Sequence, residues 1–310
     1  MSALICGSIA YDTIMVFGDQ FKKHILPDQI HILNVAFLVP DLRREFGGCA
    51  GNIAYNLKLL GNQPTIMATV GQDYAQYARH LDQIGLAQTH IREVPNTYTA
   101  QAFITTDIDD NQITAFHPGA MNHSHLNHVE DAKNIKLGIV APDGREGMLQ
   151  HAQEFHAAKT PFIFDPGQGM PMFSGEELLN FIRMADYVTV NDYEAQVLST
   201  RTEQSITELA KLVRAFVVTG GGTGSKVYSE GKITQISCVQ AKSVVDPTGC
   251  GDAYRAGLIH GLLQGWNVIK ACRLASLMGA IKIDSRGGQN HRPTIDQIAQ
   301  QFQQAFGENL

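Results

Sequence analysis

A chain of 310 residues, 44% hydrophobic and 17% charged, can bury a large core, and it fits one big α/β domain or two smaller ones. Its formal net charge of −6 argues against a nucleic-acid binder that works by neutralising phosphates, and no run approaches the roughly 20 apolar residues of a membrane helix. Five cysteines, an odd number with no CxxC spacing, read as reduced thiols in a cytoplasmic protein.

The opening MSALICGSIAYD lacks a basic n-region and reads as a first β-strand ended by Asp12. Asp12 is then either an ordinary turn residue or a carboxylate placed to accept two hydrogen bonds from a vicinal diol at the sheet edge. Residues 13–46 hold no long helix and read as irregular or β. FGGCAGNIAYNLKLLG (46–61) sets Gly47, Gly48 and Gly51 before or at the start of a helix whose Ile53, Ala54, Leu57 and Leu60 share a face. Gly48 and Asn52 suit a small polar ligand close to the backbone, and a merely glycine-rich helix start fits as well. TYTAQAFITTDIDDNQITAFH (97–117) reads as two alternating strands around an Asp109-Asp110-Asn111 turn. Together with 13–46 it is expected to form a small β lid (about 13–46 and 97–120) over the main sheet of a single 1–310 domain. His117, His123, His125 and His128 crowd the next stretch without a recognisable ligand spacing, which favours a polar loop.

Beyond this point short apolar runs (LGIVAP, PFIFDP, DYVTVN, FVVTGG) alternate with helical patterns. That rhythm predicts βαβ units and a mostly parallel sheet covered on both faces. NDYE (191–194) has the spacing of a capping box; its alternative reading is a polar pair, Asn191 and Glu194, ordering water around Mg²⁺. VVTGGGTGSKVY (217–228) is no P-loop, because Ser225 precedes Lys226 and the residues that follow alternate like a hairpin. Its glycines serve either a tight turn or the approach of a nucleotide. In VVDPTGCGDAYRAG (244–257) a glycine turn becomes a helix with Asp252 at its start. The carboxylate either caps the helix or handles a proton beside a phosphate held by bare amides. Cys250, near a helix N-terminus, is a candidate reactive thiol, although the loop needs only its amide.

The order FGGCAGN, NDYE, VVTGGGTGS and DPTGCGDAYRAG resembles the PfkB (ribokinase-like) family of carbohydrate and nucleoside kinases over nearly the whole chain. Within it, GSIAYD, LPDQIHILNVAFLVPDL (26–42) and TTDIDDNQITAFHPGAM are similar to bacterial adenosine kinases. The resemblance implies a three-layer αβα fold with a β lid, and ATP-dependent phosphorylation of the 5′-hydroxyl of adenosine. It makes Asp252 the catalytic base and gives the amides of Gly249, Cys250 and Gly251 an anion hole. It sets Asn191 and Glu194 at Mg²⁺ and phosphates, and Thr219, Gly222 and Gly224 along ATP. Ser8, Asp12, Gly48 and Asn52 hold the ribose, and Phe103, Phe116 and Gln168 enclose the base. It also places a K⁺ near Asp246, with Gly287 and Gly288 close by. The helix dipole should keep Asp252 ionised and only weakly basic. The apolar Val35, Phe37 and Leu38 point to a homodimer through the lid. The rivals are a kinase of this family for another nucleoside or a free sugar such as ribose or fructose, and a non-catalytic nucleoside sensor. A dinucleotide oxidoreductase is excluded, since GSIAYD lacks G-x-G-x-x-G.

Overall fold

The computed structural model describes residues 2–25, 34–109 and 111–310. Asp110 and residues 26–33, which fall in two of the stretches above, lie outside the described residues. The main sheet has nine strands. β1 (Ser2–Cys6) is third from one edge, flanked on that side by β4 (Thr65–Val70) and β5 (His90–Glu93). On the other side follow β8 (Ile135–Val140), β9 (Phe162–Phe164), β10 (Tyr187–Asn191) and β11 (Ala215–Thr219), all parallel. The antiparallel hairpin β12 (Ser225–Ser229) and β13 (Lys232–Ile236) closes the edge. Its turn, Glu230-Gly231, has positive φ at both residues, as a two-residue hairpin loop requires.

Alternation along the strands sends side chains into two cores. Leu4, Cys6, Val140 and Phe164 pack with α3 (Arg145–Ala157), α4 (Gly175–Met184) and α5 (Asp192–Thr202). Ala3, Ile5, Ile139 and Val217 pack instead with α1 (Cys49–Leu59), α7 (Cys250–Leu263) and α8 (Val268–Ile283). The short α6 (Ile206–Leu209) and the connections complete the first layer, and α2 (Ala75–Gln83) and α9 (Ile295–Phe306) the second. The result is the expected αβα sandwich. The side on which successive strands are added switches between β1 and β8, and an open parallel sheet binds ligands outside the carboxyl ends of its strands near such a switch.

A separate four-stranded sheet stands apart from the first: β3 (Asp41–Gly47), β2 (Ala10–Val16), β6 (Ala100–Thr106) and β7 (Gln112–His117), in that order. β2 runs parallel to β6 and antiparallel to β3. The first strand therefore ends earlier than its apolar run suggests. After Cys6 the amide of Gly7 bonds Met67 and that of Ser8 bonds Pro142, and the chain then leaves for the small sheet. Asp12 is the third residue of β2, not the end of β1.

Candidate active site

The turn that opens α7 sets the chemistry. Gly249 is its N-cap at φ 77°, a conformation other side chains resist, and no side chain caps this helix. The plain capping role for Asp252 is thus set aside. Its Oδ2 accepts from Asn52 Nδ2 at 2.8 Å, across from α1. Asn52 is braced in turn. Its Oδ1 accepts from Gln289 Nε2 at 3.1 Å; the same nitrogen donates to the Tyr77 hydroxyl at 2.7 Å, and Tyr77 donates to the Gly47 carbonyl at 2.8 Å. One turn along α7, buried Arg255 forms a two-pronged pair with Asp165, at the end of β9; the Nη2–Oδ1 distance is 2.6 Å. The pair keeps Arg255 charged beside Asp252 and Glu194.

Burial raises the Asp252 pKa to about 6, against the lowering influence of Arg255 and the Asn52 bond, with Asp165 and Asp12 adding to the rise. This corrects the sequence expectation of a weakly basic carboxylate: in the free protein desolvation outweighs the helix dipole. Burial likewise lifts the Cys250 thiol to about 11, so it is no reactive thiolate. Its amide already donates to the Pro247 carbonyl at 3.1 Å, whereas the amides of Gly249 and Gly251 donate to no backbone carbonyl among the described residues. An anion at this helix end would meet those two first.

On the small sheet the Asp12 carboxylate makes no hydrogen bond among the described residues. Burial, then Asp246 and Glu45, push its pKa to about 6. Gly47 leaves it room, since a Cβ there would lie 2.4 Å from its Oδ2. Gly48, at φ 84°, packs against the backbone of residues 8–10, where a Cβ would come within 2.5 Å. Ser8 is occupied as well: its hydroxyl accepts from the Cys49 amide at 3.1 Å, which fixes the start of α1. Pairing register separates the two aromatic candidates. Asp12, Ala102 and Phe116 are partners across β2, β6 and β7 and share a face. Phe103 pairs with Thr13 and Ala115 and projects from the opposite face. Phe116, half exposed, can thus face an acceptor beside Asp12. Phe103 cannot, because a one-residue offset flips a strand side chain to the other side. Gln168, in the turn after β9, is exposed.

At the other end of the cleft NDYE forms a complete capping box. Glu194 Oε2 accepts from the Asn191 amide at 2.8 Å and Asn191 Oδ1 from the Glu194 amide at 2.7 Å. Burial, followed by the charge of Asp165, raises the Glu194 pKa. Thr219 closes β11, with a long 3.4 Å bond to the Val190 carbonyl. Gly222 lies in the open turn that follows. Gly224 is set by packing, since at φ 85° a Cβ would press on the Ile236 carbonyl. Of the clustered histidines, His128 pairs with Glu154 at 2.8 Å, and among the described residues no three metal-ligating side chains converge.

Sequence reading missed Asp165, Arg255, Gln289 and Tyr77. A carboxylate ending the apolar strand PFIF and an arginine inside an otherwise apolar helix were the available signals. Among the described residues no helix is long and apolar enough to cross a membrane.

Comparison with known proteins identifies the family of the chain. The chain is 30% identical over 273 residues to a nucleoside kinase of Methanocaldococcus jannaschii, covering 87% of this chain and 89% of that protein. It is 51% identical to a Burkholderia thailandensis nucleoside kinase solved in complex with inosine, with a TM-score of 0.91 and 99% of each chain covered. The same kinase solved with ADP-inosine superposes with a TM-score of 0.88. Residues 12–295 match the pfkB family of carbohydrate kinases, and the chain belongs to that family.

Proposed function

We propose that the chain transfers the γ-phosphoryl group of ATP to the 5′-hydroxyl of a purine nucleoside, with adenosine as acceptor and AMP and ADP as products. The observation that carries this reading is the pair of carboxylates on either side of the cleft. The Asp12 carboxylate has no hydrogen-bond partner among the described residues and suits the two ribose hydroxyls. Asp252, held by Asn52 and with a pKa near 6, suits the hydroxyl that reacts. In-line phosphoryl transfer asks protein groups mainly for placement and charge. Asp252 takes the hydroxyl proton, the Gly249 and Gly251 amides with the start of α7 receive the phosphoryl oxygens, and Thr219 and Gly222 border the nucleotide.

Glu194 and Asn191 fit a water-mediated magnesium site. One carboxylate oxygen closes the capping box and leaves the other for a metal-bound water, and hard cations take oxygen ligands. Magnesium would supply neutralisation of phosphate charge. The B. thailandensis kinase was solved with inosine, and this supports a second acceptor that differs from adenosine only on the base. ADP release measured across adenosine, inosine, guanosine, cytidine, 2′-deoxyadenosine, ribose and fructose tests the reading. A nucleoside should give the highest kcat/KM. If a free sugar does, the nucleoside assignment fails and only the family remains.

The outer face of the small sheet exposes Leu42 (65%), Phe103 (40%) and Ile113 (45%), and Leu38 (86%) lies just before β3. We propose that a second copy of this chain covers that face. A light-scattering mass of one chain, 33.9 kDa, across micromolar concentrations would refute it.

A further inference from the structure

Lys282, in the last turn of α8, is fully buried, although a lysine at a helix C-terminus ordinarily reaches water. Its Nζ donates to the carbonyl of Asp246 at 2.7 Å and to that of Ser285 at 3.0 Å. Burial lowers its pKa, while Cys250, Asp246, Asp252 and Glu45 pull it back up, so the ammonium lies within the field of the proposed base. It sits between the two segments that shape the start of α7. Asp246 Oδ1 accepts from the Thr248 amide at 2.9 Å and Oδ2 from the Gly287 amide at 2.8 Å. Gly288 then packs on Gly249, where a Cβ would stand 3.1 Å from the Gly288 Cα.

This is the place to which the sequence resemblance assigns a K⁺. The residues do not fit one. Both oxygens of the Asp246 carboxylate already accept amides, and the nearby carbonyls of Asp246 and Ser285 are held by the lysine. An ammonium nitrogen approaches a carbonyl about as closely as a potassium ion does, so the two would compete for one position. We infer that Lys282 is a tethered monovalent cation. It ties residues 246–249 to 285–288, adds positive charge behind the phosphate site and makes that site independent of dissolved K⁺. Lys282 acts through the loop and is a positioning residue. The inference rests on reading residues 249–252 as the phosphate site.

The test compares initial rates and thermal unfolding of the full chain in KCl, NH₄Cl, NaCl and choline chloride at one ionic strength, with Mg-ATP and the best nucleoside. Wild-type rates should agree within about twofold. Lys282→Met should lose about tenfold or more in kcat in choline, with a smaller change in acceptor KM. K⁺ or NH₄⁺ should restore much of that loss and raise its melting temperature, as a ligand of the folded state does. Lys282→Gln keeps a donor for the carbonyls without the charge, and serves in the same way if the Met variant does not fold. Strong K⁺ activation of wild type overturns the inference, and so does a folded variant whose rate and melting temperature ignore every monovalent cation. If no nucleoside is phosphorylated, the acceptor reading fails, while the unfolding measurements still decide the role of the lysine.

Discussion

Two carboxylates with the same elevated pKa, about 6, face the cleft, one from the first turn of α7 and one from the small sheet. Asp252 belongs to the main layer and is thoroughly supported. Asn52 donates to it, Arg255 stands one turn away, and a relay through Gln289 and Tyr77 fixes Asn52. Asp12 belongs to the small sheet and its carboxylate has no donor among the described residues; burial, then the anions Asp246 and Glu45, raise its pKa. The contrast separates a group that must be in position before substrate arrives from one that substrate completes. An unpaired half-buried carboxylate is costly in the free protein, and a ligand with two hydroxyls removes the cost on binding.

The largest test of that contrast is Asp252→Asn. It should lower kcat by about 10²–10⁴-fold and leave nucleoside affinity, measured by calorimetry, within a few-fold. Near-normal turnover would remove Asp252 from the chemistry. Asp12→Ala should act on binding instead: kcat/KM for the nucleoside falls by about tenfold or more, and the preference for adenosine over 2′-deoxyadenosine flattens. A variant that keeps that preference would show that the diol is held elsewhere.

The pH dependence sharpens the comparison further. In the proposed roles both groups work as carboxylates, so kcat/KM should be level above pH 7 and fall as pH drops through about 6. Where both are protonated the fall should approach about a hundredfold per pH unit, reduced to about tenfold in Asp12→Asn. A wild-type acid limb with the slope of a single group would mean that only one carboxylate must be charged. The smallest effect expected is on stability. A raised folded-state pKa means that the ionised form burdens the folded state at neutral pH, and that the burden disappears as pH falls through about 6 toward 4. Asp12→Asn should therefore raise the melting temperature at pH 7.5 by about 2–6 °C, and by much less at pH 4. A variant that melts lower at pH 7.5 would show that Asp12 has a stabilising partner.

What was legible in the sequence follows the range of the interaction. DPTGCGD declares its turn because Gly249 needs a positive φ, and NDYE and the β12–β13 hairpin are equally local. The parallel sheet announced itself through uninterrupted apolar strands. The face of Phe103 was not legible, because it depends on how β6 registers against its neighbours on both sides. Nor was the pair between Asp165 and Arg255, which lie 90 positions apart, or the relay through Gln289. Lys282 was hidden for a different reason. A cation in a last helical turn looks like ordinary dipole compensation until its burial is seen.

The chain passes from β3 into α1 through only Gly48, and Asn52 lies four residues beyond. The edge strand of the small sheet and the amide that bonds Asp252 are thus separated by little more than one turn of chain. A shift of the small sheet that draws Asn52 away removes a bond that holds the Asp252 pKa down. The carboxylate would then take up a proton more readily, and less of it would be ionised at neutral pH.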